Sequence, residues 1–89
     1  MKRPPVSSVY SLEINIIGMT VSEGVKEVET LIDRAVVSGQ KEIKIIHGFG
    51  TGRLRAGVWQ YLKGNRYVDQ FRGGRYGEGE MGVTVVTLK

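Results

Sequence analysis

Apolar and polar positions along this chain form six blocks separated by glycine-bearing turns. Residues 11–17 end in the β-branched run "INII" and predict a strand, which Gly18 breaks. "TVSE" (Thr20–Glu23) has the capping-box pattern, in which Thr20 and Glu23 each satisfy the other's backbone amide. After it Val21, Val25, Val28, Ile32, Ala35 and Val36 recur at three- and four-residue spacing, so a helix with a core-facing stripe is predicted. Gly39 follows as a left-handed terminator would. "EIKII" (42–46) is too short for a helix and is β-branched, which makes it the second strand. From Gly52, Leu54, Val58, Tyr61 and Leu62 return to helical spacing until Gly64 and Asn65. "YVDQF" (67–71) alternates and predicts a half-buried strand. "VTVVTL" (83–88) carries no charge, which suits a central strand.

The order is βαβαββ. Two successive βαβ units give three parallel strands, with right-handed crossovers that put both helices on one face. The fourth strand is expected to run antiparallel. The expectation is therefore an α/β fold: a two-layer sandwich with a four-stranded mixed sheet. Parallel strands end at one edge. The turn at Gly18–Met19, the loop His47–Gly52 and the loop Gly73–Gly82 are expected to gather there, at the carboxyl edge where open α/β sheets bind ligands. That reading puts His47, the only histidine, in the middle of an open, glycine-lined surface.

At 89 residues the chain is one domain, with residues 1–10 read as a disordered lead or linker remnant and 11–89 as the folded unit. No run approaches the ~20 apolar residues of a membrane span, and no h-region follows "MKRPPVSS". The absence of cysteine removes disulfides and thiolate metal sites and fits a cytoplasmic, reducing setting. One histidine and scattered carboxylates argue against a resident metal.

Charge sharpens the picture. Residues 1–45 hold six Lys/Arg and six Asp/Glu, whereas residues 46–89 hold seven Lys/Arg against three acids. The whole +4 excess therefore lies at or after the histidine loop. Arg53, Arg55, Arg72 and Arg75 fall in this half, and clustered cations concentrate polyanions. The alternative is a solvated face with chance asymmetry.

The loop "HGFGTG" (47–52) opens the second helix, whose free amides and dipole favour a phosphate. Gly48, Gly50, Thr51 and Gly52 leave its backbone accessible, and Arg53 and Arg55 add charge at some cost to the helix. The spacing is neither GxGxxG nor a P-loop, so no nucleotide-binding site follows from it. His47 titrates near neutrality when unperturbed, so it can be a general acid or base on a phosphodiester, a cationic phosphate contact, or a structural residue. Phe49 and Tyr76 can stack on a nucleobase; Phe49 can instead fold onto the sheet or Trp59. Glu78 and Glu80 can position a water or a divalent ion for cleavage, or simply keep the loop soluble.

"HGFGTG" before the second helix and "GEGEMGVTVVTL" entering the last strand together resemble the Smr (small MutS-related) family, over roughly Leu12–Leu88. The likeness is to the copy at the C-terminus of bacterial MutS paralogues that lack mismatch recognition. It implies a fold similar to the C-terminal domain of translation initiation factor three. It implies binding of DNA or RNA, a sequence-nonspecific nicking endonuclease, and roles in recombination suppression or at stalled ribosomes. The parent chain's MutS-type ATPase domains would be partners, and no cofactor beyond a divalent ion for cleavage is implied. By the same resemblance His47 acts on the scissile phosphate. The family's first motif carries an acid where this chain has Asn15, and a basic residue at Ile17. Its second has lysine where this chain has Phe49. Either His47 suffices, or Glu13 or Glu78 replaces the acid, or this member only binds. A protein-docking module with an incidental basic face is the third class.

Overall fold

The structure is a computed structural model that describes residues 12–77 and 79–89. The elements are β1 (Leu12–Asn15), α1 (Val21–Ser38), β2 (Glu42–Ile46), α2 (Arg53–Lys63), β3 (Val68–Gly73) and β4 (Val83–Leu88), with a 3-10 turn at Glu80–Gly82. The lead over 1–10 lies outside the described residues.

The sheet order is β1-β2-β4-β3. β1 and β2 are parallel, and β4 runs antiparallel to both β2 and β3, so the first three strands share one direction. β4 occupies an interior position, as its uncharged sequence predicts. In register, Ile43 opposes Val86, Ile45 opposes Thr84 and Phe71 opposes Val86, which puts these side chains on one face. There Ile43, Ile45 and Val86 join Val28, Leu31, Ile32 and Ala35 of α1 and Val58 and Leu62 of α2 in one core. Both helices therefore cover the same face, and among the described residues no helix covers the other.

Local sequence accounts for the elements and their limits. The capping box forms in full: Glu23 N–H donates to Thr20 Oγ1 (3.1 Å) and Thr20 N–H donates to Glu23 Oε1 (3.0 Å). Gly39 ends α1 in the left-handed conformation, φ 76°. The core stripe of α1 differs from the expected one by a fraction of a turn: Leu31 is buried, whereas Val36 is 39% exposed. β1 is shorter than 11–17, because the Asn15 side chain accepts the Ile17 N–H (3.0 Å) and folds the chain into a turn. β3 runs to Gly73, and a register shift between Val68 and Gln70 replaces simple alternation. That irregularity lets Val68 and Phe71, three positions apart, both reach the core.

The helices approach closely at their N-terminal turns. A Cβ on Gly57 of α2 would collide with Val21 Cγ1 of α1, and one on Gly24 of α1 would lie 2.9 Å from Leu54 Cδ1 of α2. Two glycines inside helices thus trade helix propensity for proximity. They bring both helix N-termini to the carboxyl edge of the sheet.

Candidate functional site

The three connections meet at that edge. The amides of His47 (3.0 Å) and Gly48 (2.9 Å) both donate to the Gly82 carbonyl, which ties the histidine loop to the β3–β4 connection. Gly48 also packs against Ile17 of the β1–α1 turn. Between that turn and the histidine loop lies an open groove of about 640 Å³, lined by Ile17, Met19, His47, Phe49, Arg53 and Arg55 among others.

The loop's backbone needs its glycines. Gly48, Gly50 and Gly52 have φ of 77°, 38° and 85°, a region closed to most side chains. Gly52 is the N-cap of α2 and offers no side-chain cap, and the first turn holds no acid. The Arg53 amide has only a long contact to Thr51 Oγ1, at 3.3 Å. The two helix N-termini therefore differ. The first is closed by its own capping box, while the second leaves amides without a side-chain partner and adds Arg53 and Arg55. The local field there is positive and favours an anion.

His47 is not on the open surface that its glycine neighbours suggest. It is 4% exposed, beneath the loop, with only an edge on the groove. Strand alternation explains this. Ile43 and Ile45 point into the core, and the next position in that series is residue 47. Both ring nitrogens have partners: Nδ1 lies 3.0 Å from the Gly48 carbonyl and Nε2 2.8 Å from Thr84 Oγ1. A carbonyl can only accept, so Nδ1 carries the hydrogen. Trp59 Nε1–H donates to the same Thr84 oxygen (2.8 Å). The Thr84 hydroxyl then donates to His47 Nε2, and every group in the chain is satisfied. Burial holds the imidazole pKa below its usual value, the Gly48 carbonyl opposes this, and the nearby Arg55 charge adds to the lowering. Both lowering effects favour the neutral imidazole.

Arg55 completes the arrangement. Its guanidinium lies 4.3 Å over the Trp59 ring, which in turn meets Phe71 edge-on at 5.0 Å. Arg55 Nε is buried with no hydrogen-bond partner among the described residues.

The structure brings together His47, Gly48 to Gly52, Arg53 and Arg55 and leaves other candidates apart. Phe49 is 67% exposed, with one ring edge against Gly82. Glu13 sits on the helix-free face, opposite Lys44. Arg72 opposes Val85 on that same face, and its Nη1 donates to the Gly73 carbonyl (3.1 Å). Arg75 and Tyr76 are exposed in the β3–β4 loop and do not line the groove. Glu80 lies in the 3-10 turn. Glu78 lies outside the described residues. Among the described residues, no three His, Cys, Asp or Glu side chains gather as a metal site would require. None of their helices is long and apolar enough to cross a membrane. Thr84 and Trp59 went unread in the sequence as site residues; strand geometry, which sets Thr84 on the same face of β4 as the core residues Val86 and Leu88, is what puts it inside.

The Smr domain family matches residues 14–89. Endonuclease MutS2 of Fusobacterium nucleatum is 50% identical over 88 residues, 99% of this chain and 11% of that protein. Endonuclease MutS2 of Clostridioides difficile is 47% identical over 77 residues, 86% of this chain and 10% of that protein. The chain thus spans about a tenth of the length of these curated relatives. The crystal structure of the Smr domain of Thermus thermophilus MutS2 superposes with a TM-score of 0.86 at 36% identity, covering 88% of this chain and 98% of that one. YdaL, a stand-alone small MutS-related protein of Escherichia coli, superposes with a TM-score of 0.81 at 25% identity, covering 86% of this chain and 63% of that one.

Proposed function

Since this chain belongs to the Smr domain family, we propose that it binds the phosphate backbone of nucleic acid in the groove between the β1–α1 turn and the histidine loop. The observation that carries this reading is the N-terminus of α2: no side-chain cap, no acid in its first turn, and Arg53 and Arg55 beside free amides. A phosphate placed there accepts from backbone amides and meets two guanidinium groups, in a contact that reads no base. Phe49, largely exposed at the rim, is the aromatic surface for an adjacent base. In a longer parent chain such a module would deliver MutS-type ATPase domains to DNA, to RNA or to a ribosome.

Fluorescence anisotropy of a labelled DNA duplex, titrated across a range of salt, tests this. The log–log slope should fall by about 1.8 in the Arg53→Gln/Arg55→Gln variant, two phosphate contacts at about 0.9 each. An unchanged slope would remove the groove from the reading.

A second reading is phosphodiester nicking. It is favoured by relatives that are named endonucleases and by His47 reaching the groove. Water would attack phosphorus as the P–O bond to the leaving oxygen breaks; His47 Nε2 would take the water's proton once the Thr84 hydroxyl turned away, and would return it to the leaving oxygen. Among the described residues no set of three His, Cys, Asp or Glu side chains fits a resident divalent ion. Supercoiled-plasmid nicking by wild type and His47→Ala, with Mg²⁺, Mn²⁺ or EDTA, separates the two readings. Nicking lost in the variant selects the enzyme. Full binding with no nicking in any buffer selects the binder.

A further inference from the structure

The buried polar chain beneath the groove ends on the cation that the groove presents. Arg55 has one planar face on Trp59 at 4.3 Å and a buried Nε with no hydrogen-bond partner among the described residues. Trp59 is itself fixed on two sides. Its ring meets Phe71 at 5.0 Å and 70°, and its Nε1–H donates to Thr84, which is fully buried on β4. Thr84 also holds His47, whose own amide is tied to Gly82. The side chains of His47, Thr84 of β4 and Trp59 of α2 thus form one series that ends on a single guanidinium.

We infer that Trp59 and Thr84 are positioning residues that hold the Arg55 guanidinium edge-on to the groove for a single backbone phosphate. The inference rests on the phosphate-binding reading above and names the device that makes it work. An arginine free to rotate gives up side-chain entropy when it binds. A guanidinium stacked on an indole has given that up already, and its remaining N–H edge matches two phosphate oxygens. Nε itself is buried, so the edge offered to a phosphate is that of the two terminal nitrogens, on an arginine that lines the groove. His47, in this arrangement, positions Thr84 and the loop rather than touching the phosphate.

The test is anisotropy of a labelled DNA duplex against KCl, with folding checked by circular dichroism. Arg55→Gln should weaken binding about three- to tenfold and flatten the log–log slope by about 0.9. Trp59→Leu should do the same, although it removes no charge. The double variant should be no worse than the weaker single one, since both remove one contact. Thr84→Val should flatten the slope and Thr84→Ser should restore it. If Trp59→Leu unfolds, Trp59→Phe keeps a ring and still loses the N–H, and it should shift the slope in the same direction. Weaker binding with the wild-type slope in Trp59→Leu or Trp59→Phe, or additive losses in the double variant, would overturn the inference while leaving the groove reading intact. Wild-type binding that ignores salt would instead overturn the groove reading itself.

Discussion

Replacing Thr84 by valine keeps the shape of a fully buried side chain and removes one hydroxyl with two partners. Without it His47 Nε2 has no donor in a site that is 4% exposed, and Trp59 Nε1–H has no acceptor. An unsatisfied buried group costs about 1–3 kcal/mol, and the half-buried indole should fall at the low end of that range. The new methyl group returns at most about 0.8 kcal/mol by burial. The net loss is about 1.5–3 kcal/mol, which lowers the melting temperature of so small a domain by about 10 °C or more. Thr84→Ser is the informative partner. It keeps the hydroxyl, leaves a methyl-sized void and costs about 1 kcal/mol. Thermal unfolding followed by Trp59 fluorescence ranks the three proteins. The geometry predicts wild type above serine above valine. Hydrophobic burial alone predicts valine above serine, and that order would refute the polar chain.

Three further outcomes follow from the same coordinates. Gly57→Ala gains helix propensity of about 1 kcal/mol but drives a methyl group into Val21 at a cost of about 1–3 kcal/mol, so urea denaturation should show it less stable than wild type by up to about 2 kcal/mol. Burial lowers the His47 pKa below 6.5, so the unfolded chain takes up its proton first as pH falls. The stability from neutral His47 is complete above pH 6.5 and is lost as pH drops toward the folded value, so denaturation midpoints between about pH 7.5 and 5.5 should fall more in wild type than in His47→Gln. Arg53 opposes the dipole at the start of α2, so Arg53→Glu should stabilise the fold by at least a few tenths of a kcal/mol and raise the melting temperature slightly, while weakening DNA binding in the anisotropy assay.

The fold was largely legible because its signals are local. The Thr20–Glu23 box, the Gly39 terminator and the uncharged run of β4 each act within a few residues, and each appears where the pattern puts it. The site was legible only in part. The glycines, Arg53 and Arg55 share one short segment, and the parallel strands carry that segment to the expected edge. His47 was misplaced because glycine neighbours suggest exposure. The alternation of Ile43 and Ile45, extended two residues, points it inward. Its partner Thr84 lies 37 positions away and Trp59 lies on another element, so only tertiary packing pairs them. The close approach of the helices at Gly24 and Gly57 was not read from the sequence and appears only in the packing. Arg72 was a candidate by charge and Glu13 as a replacement for the acid absent at Asn15; strand register turns both to the helix-free face.

A two-dimensional amide spectrum of the ¹⁵N-labelled chain, titrated with a short DNA oligonucleotide, measures the anion site directly. The amides of Gly50 to Arg55 should shift first and furthest, with the Trp59 indole N–H moving alongside them. Shifts confined to the helix-free face around Lys44, Arg72 and Val85, with those amides still, would contradict the account.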